Sequence, residues 1–373
     1  DISLILNVAF WCIIGMIAIF ALVGAIKGFW KSVVGAVVQL ILLVVVMFVT
    51  PGVANLIGNI DVSGFTSSSS VTFGNVEIQV TSIREMICQW LTASGYVSPV
   101  NGQSIYEAAM GLTNIVLSLV VFVVLAIFVF FFGWLISTLI YHTIFKWFIP
   151  KKIRMKHKMR WLGALSGAVM GFFSVFLLMT PFSYLGNTVN QNEDAIKALK
   201  GTSDDKMDQI LDYATLYGES EFGSDWMYSM SSFVVNQATS SDYLGGKANF
   251  SDITSLLAGL SKGFSKGLTG NNNSPLDFAV IVGDRAAVDG ILETLIGNNI
   301  IVKVMPSLLK AAVTYVKTPE SIDLTKLDFE NVDFSTEFTT IQGIYDNLYD
   351  AGFITSMLSG DYSVDSSKQD YYI

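Results

Sequence analysis

Four stretches of this chain are long, apolar and free of Asp, Glu, Lys and Arg: residues 2–26, 32–60, 108–145 and 161–185. A helix needs about 20 apolar residues to cross the hydrocarbon of a bilayer, and each run reaches that length. Inside hydrocarbon the backbone must satisfy its own hydrogen bonds, which for uninterrupted runs of this kind means helices. We therefore expect spans at about 2–26, 33–57, 113–146 and 161–185. Charged residues make up only 14% of the 373 residues, against about 25% in a soluble domain. A wholly soluble or disordered chain is excluded, and a net charge of −9 argues against nucleic acid as a partner. The two cysteines, Cys12 and Cys88, offer no disulfide framework.

The third run is longer than its task requires. Its 38 residues would make about 57 Å of helix, against a hydrocarbon core of about 30 Å. It is expected to tilt or to project past one face. Ser104 and Glu107 have capping-box spacing and predict a helix start; Pro150 predicts its stop.

Charge separates the chain into two parts. Residues 1–185 carry +5 and residues 186–373 carry −14, which places a domain boundary near Gly186. Lys and Arg in short loops mark the cytoplasmic side. Residues 146–160 hold seven cations and no acid, and Lys27 and Lys31 follow the first run, whereas residues 61–107 hold one cation and four acids. The expected topology puts loop 147–160 in the cytoplasm, and loop 58–112, both termini and residues 186–373 outside. The first run is too long for a signal peptide, and its cations follow it rather than precede it. The absence of an initiator Met leads us to expect a processed start.

The fold class expected is all-α: a four-helix membrane domain, then an acidic helical domain, with one small β-hairpin. That hairpin falls at 71–80, where apolar residues alternate around Gly74-Asn75. A short helix is expected at 82–93. Further helices are expected at 192–200, 203–216, 225–238, 251–264, 275–296, 300–316, 335–349 and 353–358. The stretch 318–334 reads as an extended loop. Its acids Asp323, Asp328 and Glu330, with Asp333, lack the spacing and Gly of a calcium loop and read as solvated surface.

Candidate site residues fall in three groups. Lys27, Phe29, Trp30 and Lys31 suit a membrane interface, the lysines at i,i+4 on one face with stems along apolar surface and ammonium groups at lipid phosphates. Lys151, Lys152 and Arg154 suit anionic lipid or a cytoplasmic partner. Gly163, Gly167 and Gly171 recur every four residues and make a flat face for close helix packing, within the four-helix unit or between protomers; Gly15 and Gly24 also admit a close neighbour. Gln39, midway along the second span, is expected to bond a neighbouring helix. His142 and His157 lack the Cys or carboxylate neighbours of a metal site. No phosphate-binding loop appears, and neither Cys has a nucleophile's setting.

Two segments, Gly24-Ala25-Ile26-Lys27-Gly28-Phe29-Trp30-Lys31 and Arg160-Trp161-Leu162-Gly163 continuing to Gly167 and Gly171, together with four spans, resemble the colicin V production protein family of bacterial inner-membrane proteins. The likeness covers residues 1–185. It implies a role in secretion or envelope maintenance and carries over no catalytic residue. The expectation is a non-enzymatic scaffold or accessory subunit without cofactor or metal. Its partners would be membrane lipids, and further copies of itself through the Gly-rich faces or another envelope protein through the outer domain. A passive channel between protomers is the alternative.

Overall fold

A computed structural model describes residues 2–66, 70–73, 76–91, 102–148, 160–193, 196–197, 205–264, 267, 277–313 and 332–359. Helices dominate, as the apolar periodicity dictates. Four are long and apolar enough to cross a membrane: Ile2–Lys27, Phe29–Gly58, Ala108–Phe148 and Arg160–Gln191. In chain order, α1 is Ile2–Lys27, α2 Phe29–Gly58 and α3 the single turn Ser63–Thr66. Strands β1 (Ser70–Phe73) and β2 (Val76–Gln79) pair antiparallel with Val71 opposite Ile78, the hairpin expected from alternation. Helix α4 is Ile83–Leu91. Its start is a capping box: the Glu85 N–H donates to Ser82 Oγ at 3.3 Å and the Ser82 N–H to Glu85 Oε2 at 3.0 Å.

Helix α5 runs Gly102–Ile140 and continues through a π-helical turn, Tyr141–Phe145, into Lys146–Phe148. It already begins at Gly102, so Ser104 lies inside the helix rather than capping it. The stop expected at Pro150 lies outside the described residues. Helix α6 is Arg160–Gln191. Then come α7 (Asp205–Gly218), the 3-10 turn Glu221–Gly223 and α8 (Asp225–Thr239). A second hairpin pairs β3 (Ser241–Tyr243) with β4 (Gly246–Ala248). Its turn places Leu244 at φ 43° and Gly245 at φ 77°, both in the left-handed region of a tight hairpin loop. Helices α9 (Phe250–Phe264), α10 (Phe278–Gly283), α11 (Arg285–Gly297), α12 (Asn299–Val313), α13 (Phe334–Asp350) and α14 (Phe353–Ser359) complete the chain. The single helix expected over 275–296 is two, because Asp284 stops one and caps the next, accepting from the Ala287 N–H at 3.1 Å. The helix expected at 192–200 and the loop 318–334 lie largely outside the described residues.

The chain forms two compact units that interleave along the sequence. The first takes Asp1–Ile60, Asn114–Asn190 and Ala214–Ser241. The boundary expected near Gly186 falls inside α6, and residues 214–241 pack with the apolar helices. The physical reason is local. Although residues 186–373 are acidic as a whole, 226–241 carry no charge, and aromatic rings flank them. The Phe10 ring meets Phe222 edge-on at 5.3 Å and Trp226 at 6.1 Å, and Tyr184 stacks on Tyr228 at 5.4 Å. Helix α8 packs along α2. Polar bonds fix the same segment. The fully buried Asn187 donates to Gly223 O at 2.9 Å and Asp225 Oδ1 at 2.7 Å. The Glu221 N–H donates to Asn7 Oδ1 at 2.8 Å, and Tyr217 Oη donates to Phe182 O at 2.7 Å. Burial pushes the Tyr217 phenol pKa up.

The second unit takes Asp61–Thr113, Gln191–Tyr213 and Asp242–Ile373. In it α11 packs against α9 and α13, and α14 packs against α10 and α13. Buried Asn298 caps α12, its Oδ1 accepting from the Ile300 N–H at 3.0 Å, while its Nδ2 donates to Asp252 O of α9 at 2.6 Å. Arg285 ties α11 to α13 through Asp346 at 2.9 Å and Asp350 at 2.8 Å. Cys88 is buried with Val80 against Ala109 and Met110, and burial pushes its thiol pKa up.

Candidate functional site

The site is built around one turn. Gly28 joins α1 to α2 at φ 85°, a conformation that only Gly adopts freely. Lys27 therefore ends one helix and Lys31 lies in the first turn of the next. The i,i+4 reading on a single helical face is corrected: the turn, not helical spacing, brings the two lysines together. Ser32 braces the turn, its hydroxyl within reach of Gly28 O at 3.1 Å and Gly24 O at 3.2 Å.

Both ammonium groups meet aromatic faces on α5 and its π-turn. Lys27 Nζ lies 4.3 Å from the ring centre of Trp134, and Lys31 Nζ lies 5.6 Å from that of Tyr141, within the range of cation–π attraction. A cavity of about 90 Å³ opens between them, lined by Lys27, Lys31, Ser32, Ser137, Tyr141 and His142 among others. Adjoining it, a space of about 760 Å³ is lined by Lys27, Lys31 and Arg160 and by the apolar Leu22, Ala25 and Ile26. Among the described residues no carboxylate pairs with Lys27, Lys31 or Arg160. Phe29 and Trp30, with rings 5.3 Å apart edge-to-face, line the same opening. Sequence reasoning missed Arg160, Trp134 and Tyr141 as members of the site. Nothing in their spacing announces it, because they approach from other helices.

The glycine stripe is filled from within. A Cβ on Gly24 would fall on the carbonyl of Gly163 and 2.7 Å from the Gly167 Cα; one on Gly171 would lie 2.7 Å from Phe20 Cβ. Gly163 and Gly167 thus seat α6 against α1 of the same chain at backbone contact, and Gly171 seats it on the Phe20 side chain. At this face the neighbour is the chain's own first helix. Among the described residues, a Cβ on Gly15 would meet nothing within 4 Å.

Gln39 is 1% exposed and its amide lies against Gly133 of α5. Among the described residues neither amide atom has a hydrogen-bond partner, so the expected interhelical bond is not made. The hydroxyls buried in the same helices bond their own backbone: Ser137 to Gly133 O at 2.7 Å, Ser174 to Met170 O at 3.0 Å, Thr50 to Val46 O at 2.5 Å. Lys151, Lys152, Arg154 and His157 lie outside the described residues, as do Asp323, Asp328 and Glu330. Asp333 caps α13. Among the described residues no three His, Cys, Asp or Glu side chains gather as metal ligands. What the site offers chemically is positive charge, hydroxyls and aromatic faces, a set suited to holding an anion. No family model matches the chain, and no characterised protein or solved structure resembles it significantly.

Proposed function

We propose that this chain is a non-enzymatic integral membrane scaffold or accessory subunit that supports secretion or cell-envelope assembly in a bacterial plasma membrane, as its resemblance to the colicin V production family implies. The observation that carries the reading is the closure of the apolar helices on themselves. Gly24 meets Gly163 and Gly167 at backbone distance, and the span interiors hold no Asp, Glu, Lys or Arg. Ion-coupled transport generally places an ionisable group there. The buried hydroxyls of Thr50, Ser137 and Ser174 are spent on their own helices, which supports packing rather than conduction.

The Lys and Arg distribution supports an orientation with the Gly28 turn and residues 147–160 in the cytoplasm, and with loop 58–112, both termini and residues 186–373 outside. A partner would then be engaged by the acidic outer segments. The reading is tested by flux of small ions and fluorescent solutes from liposomes holding the full chain. Leakage no faster than from empty liposomes is expected. Sustained flux would favour a channel instead. Cys introduced near residue 359 should react with impermeant reagents in spheroplasts, and protection there would reverse the orientation.

A further inference from the structure

We propose that the space around the Gly28 turn binds the phosphate-bearing headgroup of one anionic membrane lipid, with an acyl chain lying along Leu22, Ala25 and Ile26. Lys27, Lys31 and Arg160 converge on one opening, and among the described residues no carboxylate neutralises them. Like charges held close repel unless an anion joins them. The smaller cavity adds the phenol of Tyr141. The space of about 760 Å³ is within the size range of small-molecule sites, and its lining is amphipathic. The cations sit at the helix ends, at headgroup depth. Leu22 and Ile26, 66% and 85% exposed, lie further back along α1, toward its apolar middle. A soluble phosphate would use the cations and leave that apolar strip bare, whereas a lipid uses both. Trp134, already under Lys27, holds that ammonium toward the cavity.

The inference rests on the reading that these helices cross a membrane, and on neither their direction nor the scaffold role. The full chain in a neutral detergent is mixed with phosphatidylglycerol or phosphatidylcholine of matched chains, and retained lipids are counted by native mass spectrometry. One phosphatidylglycerol per chain is expected, preferred by about tenfold or more, since each cation near a lipid surface favours an anionic headgroup. Lys31→Gln with Arg160→Gln, both exposed and therefore compatible with folding, should remove the preference. Ile26→Trp should weaken lipid retention by filling the strip. Excess inorganic phosphate should leave the lipid bound. Equal retention of the two lipids, or an unchanged preference in the double variant, would overturn the proposal. Displacement by inorganic phosphate would assign the cations to a soluble anion and overturn the lipid. Recovery of the full chain without any detergent would instead sink the membrane reading beneath it.

Discussion

Gly24 of α1 and Gly167 of α6 face each other with no side chain between them, close enough that a Cβ on Gly24 would stand 2.7 Å from the Gly167 Cα. Backbone against backbone is the tightest packing two helices achieve, and in lipid such close contact is a main source of association. It also leaves nothing that can yield.

The glycines should therefore rank by what they touch. Gly24→Ala and Gly167→Ala, each meeting backbone, should lower stability most, by about 3 kcal/mol or more. Gly171→Ala meets the Phe20 side chain, which can shift, and should cost about 1–2 kcal/mol. Gly15→Ala meets nothing among the described residues and should be neutral or slightly stabilising, as Ala favours helix over Gly. Thermal unfolding in detergent checks the order. Equal effects at Gly15 and Gly167 would contradict the contact.

Gln39 and Gly133 form a second test. An amide buried without partners costs about 1–3 kcal/mol, so Gln39→Leu should raise the unfolding temperature. Gly133→Ala should lower it in wild type, where its Cβ would strike the amide. A destabilised Gln39→Leu variant would show that the amide has a partner in the membrane.

Asp333 supplies a pH dependence. The Thr336 hydroxyl, at 2.7 Å, and the backbone N–H groups of Thr336 and Ser335 hold its carboxyl pKa below the ordinary 3.8. A lowered folded pKa means that the stability from this carboxylate is fully present above pH 3.8 and is lost as pH falls through the folded value. Asp333→Ala should unfold at a lower temperature than wild type at neutral pH, and the gap should narrow below that range. A gap that stays constant would remove the carboxylate's role as cap.

Helix α8 turns Met227, Ser231, Val234 and Val235 inward, yet Trp226, Met230 and Phe233 remain exposed on another face. If the helices it packs on cross a membrane, as proposed, this second apolar face of α8 should meet lipid. Trp226 fluorescence, taken as the difference from Trp226→Phe, should be quenched by spin-labelled lipids and little by aqueous iodide. The reverse pattern would place α8 in water.

Much of the fold was legible because hydropathy acts locally. The four apolar runs, the hairpin at 71–80 and α13 follow from composition and spacing alone. What escaped depends on partners distant in sequence. Spacing showed that Gly163, Gly167 and Gly171 make a flat face, but not that Gly24 and Phe20 fill it. The pairing of Lys27 with Lys31 was visible, whereas Trp134, Tyr141 and Arg160 arrive from helices more than 100 residues away. Regional charge misassigned residues 214–241, where Phe222 and Trp226 outweigh the acidic average. The Ser82–Glu85 capping box and the Leu244-Gly245 turn are local signals of two to four residues, too short to show as hydrophobic periodicity.

The proposed accessory role requires that this chain serve another protein rather than act alone. The decisive experiment is mass determination of the native complex, gently solubilised and with every co-purifying chain identified. A second protein in fixed stoichiometry is expected, with the Gly faces of each copy occupied by its own α1. A chain recovered alone under conditions that preserve membrane complexes would contradict it.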